Sequence, residues 1–203
     1  RHHAPLSRAG LARPQPSEGT MRMNHLFQSF EREFWNAIDH GSGRCLGRGC
    51  IQVRMSFPYH SASDQDGKYR DCMLRDCERL GYRVDLTSVK VRPDYISLTV
   101  ARTLPNELYQ LGSLQVYMTH WHAVQWNKGL AKNVPGFLDG VLVRVWIDAN
   151  QSLDNEAKWH SVSMVEYLAS HASGVAWPGV SFGGCEAVPI KIEEESRDES
   201  ASV

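Results

Sequence analysis

His120 and His122 flank Trp121, the arrangement in which two imidazoles could share one divalent cation. The geometry works only on a strand, where residues i and i+2 point to one face. Around this string Leu108, Leu111, Leu114, Met118 and Trp121 recur at spacings of three and four, which predicts one long helix over 107–127. On a helix, i and i+2 lie about 200° apart and cannot meet at one ion. Trp121 is then a core residue with a histidine on either flank, whereas a strand here would make the pair the leading metal site. Cys45 and Cys50, and likewise Cys72 and Cys77, are spaced five apart. Five residues along a helix diverge by about 140°, so these read as free thiols rather than a zinc centre, and no metal site is expected. The third group is basic and aromatic. Arg44, Arg48 and Arg54 surround the first expected strand, Arg83, Lys90 and Arg92 sit on an expected hairpin, and Lys128 and Lys132 follow the expected long helix. Tyr82, Tyr95 and Trp126 lie among them. Cations meet phosphates and rings stack on bases, so these residues, with Trp126 as the aromatic member, form a candidate surface for single-stranded nucleic acid. Singly, each also fits a solvated surface.

Leu26, Phe27, Phe30, Phe34 and Ile38 follow Asn24 at helical spacing, with Asn24 as the expected N-cap and Gly41-Ser42-Gly43 as the stop. In 50–57, Ile51, Val53, Met55 and Phe57 alternate with polar residues, the pattern of a half-buried strand. A helix is expected over 68–80 with Gly81 at its end. Strands are expected over 82–91 and 95–103 around the turn Arg92-Pro93-Asp94, and a further strand over 137–148. Residues 154–171 read as a last helix. The order strand–helix–strand–strand–helix–strand is the ferredoxin-like, split βαβ order. The expected fold is therefore α+β, an antiparallel sheet with helices mainly on one face and the other face open.

Three stretches carry a resemblance. They are GYRVDLTSVKVRPDYISLTVA, VQWNKGLAKNVPGFLDGVLVRVWID and VEYLASHASGVAWPGVSF. Together, from Arg44 to Val180, the chain resembles the REP-associated tyrosine transposases and their single-tyrosine HUH relatives. In that family a turn leads into histidine–hydrophobic–histidine on a strand, the histidines hold a divalent cation, and a tyrosine on a later helix attacks the scissile phosphate of DNA. The resemblance puts Tyr95-Ile96-Ser97 at the histidine motif and Tyr167 at the nucleophile. A phenol and a neutral hydroxyl are poor ligands for a divalent cation at neutral pH. The resemblance thus implies a transposase-like DNA-binding protein that takes single-stranded or hairpin DNA, is able to dimerise, and no longer cleaves. A divalent cation would be needed only if cleavage persisted through other ligands. The helix expected over 24–38 departs from the family pattern. An open ferredoxin-like sheet also suits single-stranded RNA, and a protein-interaction module is the third class.

Composition sets limits on these readings. With 203 residues the chain is long enough for one domain with a sizeable core. Its net charge is −1, unlike the strongly basic balance of many nucleic-acid binders, so any such surface must be local. Arg1, Arg8 and Arg13 against Glu18 give residues 1–20 a net +2, and this Pro- and Arg-rich segment is expected to be disordered. The acidic tail 193–203 is expected to be a solvated end. Residues 21–192 remain as the single folded domain. An odd number of cysteines without a secretory signal argues against a disulfide framework, and together with the lack of a long apolar run it predicts a cytoplasmic protein.

Overall fold

The computed structural model describes residues 18–171 and 185–192; the expectations for 1–17 and 193–203 lie outside the described residues. The chain forms α1 (Glu18–Asp39), β1 (Arg44–Cys45), β2 (Cys50–Pro58), α2 (Lys68–Arg79), β3 (Tyr82–Val91) and β4 (Tyr95–Thr103). It continues with β5 (Asn106–Leu111), β6 (Leu114–Thr119), α3 (His120–Asn127), β7 (Leu142–Ile147), β8 (Lys158–Ser163), α4 (Met164–His171) and β9 (Ala187–Pro189). The class is α+β.

The first sheet has the order β1-β2-β4-β3, and every pairing in it is antiparallel. β4 lies between β2 and β3, so β2–α2–β3–β4 is a split βαβ unit. Alternation produces its core face. Ile51, Val53, Met55 and Phe57 of β2 and Ile96, Leu98 and Val100 of β4 are buried. Phe30, Phe34 and Ile38, one stripe of α1, close on them, joined by Met73, Leu74 and Cys77 of α2. Phe30 meets Phe57 and Tyr82 edge to face, with ring centroids 5.7 and 5.0 Å apart. α1 begins at Glu18, inside the segment expected to be disordered, and runs through Asn24 instead of starting there. The last proline before it is Pro16, so nothing in 18–24 breaks a helix. It ends where Gly41 takes a φ of +77°, with Gly41 N–H on Ile38 O and Ser42 N–H on Ala37 O. The buried Asp64 carboxylate caps α2, accepting from the N–H groups of Tyr69 and Arg70 at 3.1 and 3.0 Å and from the Tyr59 hydroxyl at 2.6 Å.

From Asn106 onward the chain departs from the expected helices. The segment 107–127 is not one long helix but the hairpin β5–β6 followed by an eight-residue α3. Gly112-Ser113 makes its two-residue loop, with Gly112 at φ +60°, the glycine-first turn that matches strand twist. Leu108 and Leu114 fit helical spacing by coincidence, while Tyr109, Val116 and Met118 bury by strand parity. Likewise 154–171 is the strand β8 followed by α4, because Trp159 and His160 pair with Trp146 and Val145 of β7. The strand expected over 137–148 is confined to 142–147. These segments build a second antiparallel sheet, β8-β7-β6-β5-β9, so of the expected ferredoxin-like order the first sheet holds only the split βαβ part and its hairpin strand. Its core holds Tyr109, Leu111, Val116, Met118, Val143, Ala123 of α3 and Met164 of α4.

α3 joins the two cores. Trp121 is fully buried in the first, Ala123 lies in the second, and Trp126 packs against both. Replacing Trp121 with Ala is expected to cost about 3–5 kcal/mol in urea denaturation, the range for deleting a buried large aromatic. Trp159→Ala, at a site that is 46% exposed, is expected to cost under about 1 kcal/mol.

Candidate nucleic-acid interface

The face of the first sheet opposite α1 and α2 is open, and strand register fixes what it carries. Directly paired residues share a face. One row across the sheet is Arg44–Gln52–Ala101–Arg83, the next is Arg54–Thr99–Asp85, then Ser56–Ser97–Lys90, and finally Pro58–Tyr95. Arg44, Arg54, Arg83, Lys90 and Tyr95 are all exposed. Two arginines are held in place. Arg44 Nε donates to Gln52 Oε1 at 2.8 Å, and Arg83 Nη2 lies 2.9 Å from Cys50 Sγ. Asp85 is the carboxylate in these rows, and its Oδ1 accepts from the N–H and hydroxyl of Thr87. Arg92 lies in the turn beside Tyr95, its N–H on Tyr95 O at 2.9 Å.

The remaining candidates lie elsewhere. Arg48 is exposed in the loop between β1 and β2 at φ +50°. Trp126 is half-buried and donates its indole N–H to Cys185 O at 2.9 Å. Lys128 ends α3 with its stem against Gly41, and Lys132 lies in the following turn.

The positions that the transposase resemblance singles out are not brought together. Tyr95 and Ser97 lie on the open face, with Tyr95 at the end of β4 beside Pro58. That end faces the N-terminal part of α1, where His25 and Leu26 line a cavity with Pro58 and Tyr59. The other end of α1 meets α3, through Asp39 and His120. Tyr167 of α4 packs on the second core and lines a cavity with Val145, Ile147, Val162 and Glu166. Residues 172–182 of the third resembling stretch lie outside the described residues.

His120 and His122 open the helix and diverge. His120 Nε2 meets Asp39 Oδ1 at 2.7 Å near the surface. His122 is buried, with Nδ1 2.6 Å from Thr119 Oγ1 and its ring against Phe137. The cysteines also fail to converge. Cys45 packs on the first core while Cys50 points to the opposite face, Cys72 contacts Arg75, and Cys77 is buried beside Met73. Burial pushes the Cys77 thiol up to about 12. Among the described residues no group of three or more His, Cys, Asp or Glu side chains is placed to hold a metal ion. Sequence reasoning missed Arg144, Trp146 and Trp159. Arg144 and Trp146 alternate outward in a readable strand, but Trp159 was hidden by the expected helix over 154–171.

No family model, no curated protein and no solved structure matches the chain.

Burial holds the His122 pKa down at about 4 from an ordinary 6.5, a backbone group of Phe137 opposing this only in part. The unfolded chain therefore binds a proton between pH 6.5 and 4 that the folded chain does not, and stability falls as pH drops through that window. The expected loss by pH 4 is about 3 kcal/mol. Denaturation midpoints measured across that window should show the slope, and His122→Phe should flatten it.

Proposed function

We propose that this chain is a transposase-like DNA-binding protein that holds single-stranded or hairpin DNA on the open face of the first sheet and does not cut it. The observation that carries the reading is the set of aligned rows on that face, which present Arg44, Arg54, Arg83 and Lys90 to solvent with Tyr95 at one end. A twisted sheet spaces such cations along a path that a flexible single strand follows more closely than a stiff duplex does. The exposed ring of Tyr95 offers a base a stacking partner. The resemblance to single-tyrosine transposases favours DNA over RNA. Loss of cleavage is supported by two things: a phenol and a hydroxyl at the metal positions, and a Tyr167 that packs on the second core while Tyr95 belongs to the first sheet. Among the described residues no helix is long and apolar enough to cross a membrane, and five free thiols suit the reducing cytoplasm proposed as the place of action.

Fluorescence anisotropy with a labelled single-stranded hairpin, linear and duplex controls and the matching RNA tests the reading. The hairpin or linear DNA is expected to bind best, with log affinity falling against log salt at a slope of about −3 for four cations at roughly 0.7 each. Arg54→Ala should lower that slope by somewhat under one unit and weaken all sequences alike. Equal binding by parent and an Arg44→Ala, Arg54→Ala, Arg83→Ala variant would contradict the site, and a preference for RNA would contradict the substrate. With Mg²⁺ or Mn²⁺ present, neither the parent nor Tyr167→Phe should form a covalent adduct with DNA. Nicking by the parent that Tyr167→Phe abolishes would overturn the non-cleaving half of the proposal.

A further inference from the structure

The second sheet also has one face under helices, while its opposite face is buried at Leu108 and Thr119 and exposed toward β7 and β8 at Trp146 and Trp159. Val143, Val145 and Val162 point to α3 and α4, so Arg144, Trp146, Trp159 and Ser161 point the other way. Trp146 and Trp159 are directly paired across β7 and β8, 51% and 46% exposed, with ring centroids 5.3 Å apart and nearly perpendicular. Leaving two tryptophans half exposed side by side forgoes roughly 2–3 kcal/mol of burial each and offers an adjoining pair of rings to a ligand. They are also held in position. The Arg144 guanidinium lies 4.2 Å from the Trp159 ring centroid, and its Nη1 donates to Gln115 Oε1 at 3.1 Å. Trp146 Nε1 donates to Asp148 Oδ1 at 3.2 Å. The same face continues as Gln110–Gln115–Arg144–Ser161, a row of amides, a guanidinium and a hydroxyl.

This face meets the open face of the first sheet at the loop that carries Arg48. Gly49, next to Cys50 at the edge of the first open face, stands so close to Thr119 that a Cβ on it would lie 3.2 Å from Thr119 Cγ2. Arg48 Cα would lie 4.0 Å from a Cβ on Gly140, which leads into β7. From Gly140 to Trp146 is six residues, about 20 Å of strand. The Arg48 backbone therefore lies beside the chain that leads into β7 and to Arg144, where the exposed Asp139 precedes Gly140.

We infer that Trp146 and Trp159 form a base-stacking platform on which a single strand bound to the first sheet continues, crossing by way of Arg48 and Arg144. The inference rests on the nucleic-acid reading above. It assigns the two sheets different work: charge on the first, and ring stacking beside a fixed guanidinium on the second. A duplex keeps its bases inside and gains nothing from the platform, so the platform adds preference for a single strand.

Oligothymidylates of about 4 and about 16 nucleotides, the span that one single-strand-binding fold covers, separate the two surfaces. The joint variant W146A/W159A is expected to weaken the long strand by about tenfold or more while leaving the short strand unchanged. The joint variant W146F/W159F, which keeps rings at both positions, is expected to recover most of that loss. Quenching of tryptophan emission by the long strand should be smaller in W146A/W159A than in the parent, and its circular dichroism should match the parent's. Parent-like binding of both strands by W146A/W159A, with loss only in the arginine variants, would overturn the platform and leave the first-sheet reading intact. Loss of self-association in that variant with DNA binding unchanged would assign the pair to a second copy of the chain and overturn it equally. Failure of the parent to bind either strand would overturn both readings.

Discussion

α3 is eight residues long, and both cores close on it. A helix of two turns has little stability of its own, so it persists because its neighbours bury it. Thr119, fully buried, caps it by accepting the His122 N–H. Three side chains then tie it to the end of α1: His120 to Asp39, Trp121 Nε1 to Ser42 O at 3.2 Å, and Gln125 Nε2 to Gly41 O at 2.8 Å. Two of those acceptors are carbonyls just beyond the end of α1, where the helix cannot supply partners itself. Each bond is worth about 1 kcal/mol net. The seating of α3 therefore fixes how the first sheet, through α1, is held against the second.

That constraint has a consequence for the surfaces. Helices occupy one face of each sheet: α1 and α2 on the first, α3 and α4 on the second. Among the described residues the opposite faces are exposed at Arg54, Lys90, Trp146 and Trp159 and covered at Cys50, Ala101, Leu108 and Thr119. Strand parity then decides what those faces present, and both present cations with exposed rings. The proposed binding of a single strand is a property of the exposed parts of these two faces and of the Arg48 loop at their junction. It draws on no cavity and no metal centre.

The first sheet was readable because one signal dominated each of its segments. Ile51, Val53, Met55 and Phe57 alternate without ambiguity, and Gly41 and Gly81, both at positive φ, end their helices as expected. Parity alone therefore put Arg54 and Ser97 on the outer face. The second sheet was misread because two signals coincided. Leu108, Leu111, Leu114 and Met118 satisfy helical spacing, and only the Gly112-Ser113 dipeptide, with its neighbouring tyrosine and valine, pointed to a hairpin. Helical spacing around His120 and His122 misplaced the start of the helix, since α3 begins only at His120. The pairing of Trp146 with Trp159 was hidden because 154–171 read as helix, and the long connection between β7 and β8 offers no tight turn to fix their register. Loop residues such as Arg48, Lys128 and Lys132 carry no parity, so sequence could group them with the sheet cations only by proximity along the chain.

Ultraviolet crosslinking of a bromodeoxyuridine-substituted single strand, followed by mass spectrometry of the adducts, tests the central claim most directly. The account predicts adducts in peptides from β2 and β4, including Tyr95, and from β7 and β8, at Trp146 or Trp159. Adducts confined to α1, α2 or α4 would place the strand on the helix-covered side and contradict it.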